Sequence, residues 1–179
     1  GLTVGSIGAY YGGWIDDFLM RITEIFLSLQ GEARSQGYPT VFVRLTGCNL
    51  RCTWCDTAYA FHEGSPMSVE DVLERVRGYD CRLVEVTGGE PLVQENCLPF
   101  MKLLCDEEYE VLLETSGSLD ISHVDPRVCR IMDIKCPSSG EKAMNDSDNL
   151  YRLTANDQVK FVIGDRHDYL FAAEMTSHL

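Results

Sequence analysis

The sequence predicts an α/β fold in which a parallel sheet is joined by crossover helices, and three observations support this. Short apolar runs alternate with stretches of helical periodicity from residue 22 to residue 176. Polar or glycine-rich segments follow directly after several of these runs. The chain has 179 residues, 45% of them hydrophobic, which is enough to fill one core. In folds of this kind the chemistry lies in the loops after the carboxyl ends of the strands.

The predicted elements follow from apolar periodicity and from the turn residues between the runs. The predicted strands are 22–29, 41–46, 83–87, 110–113, 130–134 and 158–163. The predicted helices are 69–77, 98–105 and 168–176. Ser68, with Asp71 three residues later, resembles a capping box and marks the start of the first helix. The polar segment 137–149 is predicted to be a flexible loop or lid.

Composition excludes several classes of function. Fifteen basic and 28 acidic residues give a net charge of -13, the wrong sign for direct binding to nucleic acid. There is no run of about 18 apolar residues that could span a membrane, and no basic start typical of a secretory signal. We therefore expect a cytoplasmic protein. Residues 1–19 are predicted to be a leader or an artificial extension, and residues 20–179 a single domain.

Three of the eight cysteines form a motif directly after the second predicted strand. Cys48, Cys52 and Cys55 have the spacing C-x-x-x-C-x-x-C. Such clustering, without an export signal, favours a metal site over disulfides. Three thiolates on an iron–sulfur cubane leave one iron open, and S-adenosylmethionine can chelate that iron. The alternatives are a zinc site whose fourth ligand is His62 or a remote cysteine, and three cysteines that are unrelated to one another. The other five cysteines are expected to be small core residues: Cys81, Cys97, Cys105, Cys129 and Cys136.

Further polar residues follow the later strands. In the sequence Thr87-Gly-Gly-Glu-Pro, the glycines would let a ligand approach the backbone and Glu90 could accept from an ammonium group, although a simple turn is the alternative. The segments Glu114-Thr-Ser-Gly and Asp133-Ile-Lys place charged side chains at two other strand ends. Helix caps or surface ion pairs are the alternatives there.

Residues 25–56, together with the motifs TGGEP, ETSG, DIKCPSSGE and QVKFVI, resemble the 7-carboxy-7-deazaguanine synthases, radical S-adenosylmethionine enzymes of the queuosine pathway. The resemblance covers about residues 20–165. It implies a homodimer whose subunit is a partial (β/α) barrel of the radical S-adenosylmethionine type, apparently shortened at its C-terminus. It also implies contraction of 6-carboxy-5,6,7,8-tetrahydropterin to 7-carboxy-7-deazaguanine with loss of ammonia. The implied cofactors are a 4Fe-4S cluster, S-adenosylmethionine and Mg²⁺, with an electron donor such as flavodoxin.

The resemblance also assigns roles to individual residues. Cys48, Cys52 and Cys55 would hold the cluster, and Thr57 would bind magnesium. The cofactor contacts would be Trp54, Cys55, Asp56, Gly89, Glu90, Ser116, Lys135 and Ser138, with Lys160 as a further candidate. The substrate contacts would be Leu29, Gln30, Gly31, Glu32, Arg44 and Thr87. Many members of the family have Asn where this chain has Ser116. Arg44 lies between Val43 and Leu45 in an otherwise apolar strand, so its side chain needs a partner.

Two other functions remain open at this point. A glycyl-radical activase would use the same cysteine motif on a protein partner, but Gln30, Glu32 and Arg44 favour a pterin pocket over an open groove for a peptide. A zinc-stabilised binding module would use the cysteines for structure alone.

Overall fold

A seven-stranded sheet forms the frame of the computed structural model, which describes residues 19–177. Its strands are β1 (Leu19–Leu29), β2 (Pro39–Leu45), β3 (Ser65–Ser68), β4 (Leu83–Gly88), β5 (Glu110–Thr115), β6 (Cys129–Asp133) and β7 (Gln158–Lys160). Their order in the sheet is β3-β1-β2-β4-β5-β6-β7. Strands β2, β4, β5, β6 and β7 are parallel, as predicted. Because β3 and β7 lie at opposite edges, the sheet is a partial barrel and not a closed one.

The sheet departs from the predicted parallel arrangement at its first edge. β1 pairs antiparallel with β2, with Leu29 opposite Pro39, and antiparallel with β3 on its other side. The connection over residues 30–38 is too short for a crossover helix, so the chain folds back directly. The sequence gives little sign of β3, because this four-residue edge strand contains Pro66 and lacks an apolar run. β7 is also shorter than its predicted range of 158–163.

The predicted helices are present, with small shifts at their ends. The helices are α1 (Val69–Arg77), α2 (Cys97–Asp106), α3 (Asp148–Arg152) and α4 (Arg166–Thr176). The Ser68 hydroxyl accepts from the Asp71 backbone N–H at 3.1 Å and caps α1 as predicted. α3 was not predicted. The polar segment before it is not the free loop expected, because Asn145 exchanges two hydrogen bonds of 2.9 Å with the backbone of Lys135.

The two faces of the sheet have different roles. On β4, Val84 and Val86 are fully buried in the main core, which α1 and α2 cover on the same side. Since side chains alternate along a strand, Glu85 and Thr87 point to the other face and line a cavity. The same alternation places Phe42 and Arg44 of β2 in that cavity, whereas Val43 joins the core. The inner face of the barrel is therefore the polar one.

The remaining sequence predictions are tested only in part. Leu19, the last residue of the predicted leader, pairs with Ser68 in the sheet, and residues 1–18 lie outside the described part of the chain. Cys97, Cys105 and Cys136 are buried as expected, whereas Cys81 and Cys129 are half-buried, and all eight cysteines are free. None of the helices between residues 19 and 177 has the length and apolarity required to cross a membrane.

Candidate functional site

The carboxyl ends of the parallel strands open into one cavity of about 560 Å³. Its lining contains nearly all the residues that the sequence singles out. They are Leu29, Gln30, Gly31, Glu32, Arg44, Cys48, Cys52, Trp54, Cys55, Asp56, Thr57, Thr87, Gly89, Ser116, Lys135 and Lys160. The other two predicted site residues, Glu90 and Ser138, lie outside this lining. A cavity of this size is within the usual range for small-molecule sites.

The cysteine loop and the glycine turn after β4 are packed against each other. The backbone N–H of Glu90 donates to the carbonyl oxygen of Gly47 at 2.9 Å. A Cβ atom on Gly89 would lie 2.6 Å from the Cβ of Cys48, and closer still to the Gly47 carbonyl oxygen. Only glycine permits this approach. The glycines thus bring the turn directly beside the first cysteine.

The three cysteines suit an iron–sulfur cluster better than a single ion. Their side chains are half-buried and all line the cavity. Between residues 19 and 177, no three His, Cys, Asp or Glu side chains converge where one metal ion could bind, and His62 is exposed. Burial raises the pKa of the Cys48 and Cys52 thiols. Metal binding must therefore displace protons from these thiols.

Glu90 supports the cavity wall from behind. Its side chain is 0% exposed, and its carboxylate accepts four hydrogen bonds from the protein. One oxygen accepts from Thr115 Oγ1 at 2.9 Å and from the Leu92 N–H at 3.1 Å. The other accepts from the Ser116 N–H at 2.7 Å and from Ser116 Oγ at 2.6 Å. These bonds tie the turn after β4 to the end of β5, and so Glu90 positions Ser116 in the cavity lining.

We expect Glu90→Gln to lower the free energy of unfolding by about 1–3 kcal/mol, because an amide nitrogen would face N–H and O–H donors in a buried site. Urea denaturation of the anaerobically purified protein measures this. Glu110→Gln, at an exposed position on β5, is the matched control and should stay within about 0.5 kcal/mol of the parent protein. Equal stability of the two variants would mean that the four bonds to Glu90 contribute nothing.

Ser138 also acts from behind the cavity. Its hydroxyl accepts from Trp54 Nε1 at 3.2 Å and donates to the buried carboxylate of Asp168 in α4. The Ser138 backbone N–H donates to Asp168 as well, at 2.9 Å. This chain of bonds fixes the indole of Trp54 between the second and third cysteines of the motif.

An unpaired acceptor lies close to Trp54. Lys135 Nζ is 2.8 Å from Asp133 Oδ2 and 5.7 Å from the centre of the Trp54 ring, within the range of a cation–π contact. The other carboxylate oxygen, Asp133 Oδ1, is buried and has no hydrogen-bond partner in the described part of the chain. Asp133 itself lines the cavity, beside its ion-pair partner Lys135.

Arg44 has the partner that its sequence position requires. Its Nε lies 2.7 Å from Glu24 Oε1 on the neighbouring strand, and the Tyr59 hydroxyl donates to the same oxygen at 2.8 Å. Burial acts to raise the pKa of Glu24, but the bonds from Tyr59 and Arg44 hold it below its usual range. The Thr57 hydroxyl donates to Asp56 Oδ1 at 2.7 Å, so two oxygen-bearing side chains lie next to each other in the cavity lining.

Sequence reasoning missed Glu24, Tyr59 and Glu85. Glu85 is 2% exposed and accepts a hydrogen bond from Gln30 Nε2. Its signal was available, because a glutamate within the apolar run LVEVT is as unusual as Arg44 within VFVRL. Glu24 and Tyr59 gave no such signal, since Glu24 is only half-buried, Tyr59 is exposed, and their contact joins distant parts of the sequence.

A partial barrel with three cysteines at the mouth of its cavity defines a radical S-adenosylmethionine protein. The family model of the radical SAM superfamily matches residues 42–133, about half of the chain. The cofactors of this class are a 4Fe-4S cluster and S-adenosylmethionine.

The relatives identify the family within that class. A 7-carboxy-7-deazaguanine synthase of Koribacter versatilis is 51% identical over 159 residues, covering 88% of this chain and 70% of the relative. One of Chlorobaculum tepidum is 45% identical over 157 residues, covering 86% of this chain and 71% of the relative. The crystal structure of QueE from Escherichia coli superposes with a TM-score of 0.75 at 28% identity, covering 96% of this chain and 82% of that one. The chain belongs to the 7-carboxy-7-deazaguanine synthase family. These matches give no support to a glycyl-radical activase or a zinc module.

Proposed function

We propose that the chain catalyses the radical-mediated ring contraction of 6-carboxy-5,6,7,8-tetrahydropterin to 7-carboxy-7-deazaguanine, with loss of ammonia, in the biosynthesis of queuosine or another 7-deazapurine. Family membership supports this reaction. The observation that carries it is that one cavity contains both the cysteine motif and a wall with an arginine, an amide and carboxylates. The substrate has a carboxylate and a flat, polar ring edge, and this wall offers groups complementary to both.

The cofactors would be held at the end of the cavity formed by the cysteine loop. Cys48, Cys52 and Cys55 would bind three irons of the cluster, and Trp54, Asp56, Gly89, Ser116 and Lys135 would contact S-adenosylmethionine. When bound, these cofactors would supply a carbon radical that takes a hydrogen atom from the substrate carbon bearing the carboxylate. A hydrogen atom would be returned after the rearrangement, so that S-adenosylmethionine is regenerated and ammonia is lost. Glu90 and Ser138 would act through the residues that they hold in place.

The pterin would bind between the first loop and strands β2 and β4. In the described part of the chain, Arg44 pairs with Glu24 through its Nε. Its Nη1 and Nη2 nitrogens can therefore donate two parallel hydrogen bonds to the substrate carboxylate. Gln30 and Glu32 would bind the aminopyrimidinone edge, aided by Thr87 and by the backbone of Leu29 and Gly31. The chain's main contribution to the reaction would be to hold these groups in position.

Thr57 would bind Mg²⁺ together with the substrate carboxylate and water. Magnesium prefers oxygen ligands and keeps part of its hydration shell, so one protein hydroxyl is a reasonable share of its coordination. The neighbouring Asp56 carboxylate, which accepts a hydrogen bond from the Thr57 hydroxyl at 2.7 Å, adds favourable negative charge.

We further expect a cytoplasmic homodimer, without direct nucleic-acid binding, that takes electrons from a donor such as flavodoxin.

Turnover of the carboxylated pterin tests the proposal. Anaerobically reconstituted protein should convert it to 7-carboxy-7-deazaguanine, detected by mass spectrometry, when a reductant, S-adenosylmethionine and Mg²⁺ are present. Omission of S-adenosylmethionine is the control and should give no product. If S-adenosylmethionine is cleaved but no deazaguanine forms, the proposed substrate is wrong.

A further inference from the structure

Five polar residues form a ring in the cavity that closes through the backbone N–H of Glu32, and two of them, Gln30 and Glu32, are proposed contacts of the substrate. Gln30 Nε2 donates to Glu85 Oε2, and the Glu85 carboxyl lies beside that of Glu114, which is on the neighbouring strand β5 and in the same cavity lining. Lys160 Nζ donates to Glu114 and, at 2.6 Å, to Glu32 Oε2. The Glu32 backbone N–H donates to Gln30 Oε1 at 3.2 Å and closes the ring. We call these five residues the cavity ring. It links the loop after β1 to strands β4, β5 and β7.

The contact between Glu85 and Glu114 requires a proton. Two adjacent carboxylates in a buried site repel each other, and one of them holds its proton well above the usual pKa. Burial, followed by the negative charge of Glu114, raises the pKa of Glu85 to about 8. Glu114 is the member of the pair that contacts the Lys160 ammonium, whereas Glu85 has no ion pair with a cation among residues 19–177. A protonated Glu85 can accept from Gln30 and donate to Glu114, and this completes the ring.

We propose that protonated Glu85 is a positioning residue for the substrate, because it bridges Gln30 to Glu114 and thereby fixes the orientation of the Gln30 carboxamide. A carboxamide can rotate so that its oxygen and nitrogen exchange places. Only its nitrogen donates hydrogen bonds, so a neighbouring acceptor selects the orientation in which the nitrogen faces it. Glu85 does so on one side of Gln30, and the Glu32 N–H selects the oxygen on the other. The inference rests on the proposed function, in which Gln30 binds the pterin edge.

Loss of this proton should open the ring. Above about pH 8, Glu85 and Glu114 would both be charged and would separate. Burial opposes the charge of Lys160, but Glu114 and Glu32 raise its pKa above the usual range, so it stays charged throughout. The other charged side chains that share the cavity with Glu85 are Arg44, Asp56, Asp133 and Lys135. The pKa of Lys135 is also raised, by Asp133 against the effect of burial, so this lysine stays charged as well.

The test is the pH dependence of KM for the carboxytetrahydropterin, measured on the reconstituted holoenzyme. In the parent protein KM should rise above pH 8, by up to about tenfold per pH unit for the loss of one required proton. In Glu85→Gln, a neutral isostere that can still accept and donate, KM should stay close to the low-pH value across the range. Glu85→Leu should have a raised KM at every pH. Glu110→Gln, on the exposed part of β5, should retain the parent profile.

Two results for Glu85→Gln would overturn the inference. The first is a KM that rises with pH as in the parent protein. The second is a KM as high as that of Glu85→Leu. The infrared band of a protonated carboxyl group provides a check in the parent protein alone: it should be present at pH 7 and lost above pH 9, and its absence at pH 7 would also contradict the proposal. Failure of the proposed function is distinguishable, since it would leave the parent protein without deazaguanine product at any pH.

Discussion

Replacement of Cys52 by Ala is expected to abolish the iron–sulfur cluster and with it all cleavage of S-adenosylmethionine. Three thiolates hold the cubane, and a methyl group cannot replace a thiolate as a ligand. Cys52 is the middle cysteine of the motif and lines the cavity beside Cys48 and Cys55. Anaerobic iron and sulfide analysis should find about four of each per chain in the parent protein and much less in the variant. We expect the product to fall below detection.

Cys129→Ala is the matched control for this experiment. Cys129 is a half-buried cysteine at the start of β6, and its sulfur contacts the Asn156 carbonyl at 3.0 Å, away from the cavity lining. We expect this variant to keep its iron, sulfide and activity. A Cys52→Ala protein with the iron content and activity of Cys129→Ala would show that the cysteine motif does not hold the cluster.

Replacement of Arg44 by Ala is expected to weaken substrate binding and to spare the cofactor. A hydrogen bond between charged groups contributes about 1.5–3 kcal/mol, so KM for the carboxytetrahydropterin should rise about 10- to 100-fold. Cleavage of S-adenosylmethionine in the absence of substrate should continue, because Arg44 extends from β2, pairs with Glu24 and makes no hydrogen bond to the three cysteines in the described part of the chain. Steady-state kinetics and deoxyadenosine formation measure the two effects separately.

Arg44→Lys separates the effect of the positive charge from the effect of the two parallel hydrogen bonds that a guanidinium can donate. A lysine ammonium keeps the positive charge and can still pair with Glu24, but it cannot bind a carboxylate through two parallel hydrogen bonds. We therefore expect KM values between those of the parent and Arg44→Ala. An equal loss of product formation and of substrate-free cleavage in Arg44→Ala would mean that the arginine is structural.

The parallel part of the fold was predictable because its central strands are almost entirely buried and contain distinct apolar runs. The runs around Val84, Leu112 and Ile131 all became neighbouring strands of one sheet. The first edge was not predictable in the same way. The apolar content of β1 fits either strand direction, and its antiparallel pairing depends on the short turn over residues 30–38.

The site was predictable where its function requires an unusual residue pattern within one short segment. The cysteine spacing is such a pattern, and so is Arg44 within an apolar strand. Glu90 and Ser138 show the limit of this reasoning, because their side chains are engaged by Ser116 and Asp168, which lie far away in the sequence. The role of Glu85 depends on three other strands and loops, and only the folded chain brings these together.

We propose that one cavity holds the radical cofactor and the carboxylated pterin in contact, and deuterium transfer between the two molecules tests this. Substrate labelled with deuterium at the carbon bearing the carboxylate should be incubated with the reconstituted protein, and the recovered S-adenosylmethionine analysed by mass spectrometry. We predict that deuterium appears at the 5′ carbon of the recovered S-adenosylmethionine. Formation of product without any label in S-adenosylmethionine or deoxyadenosine would contradict the account.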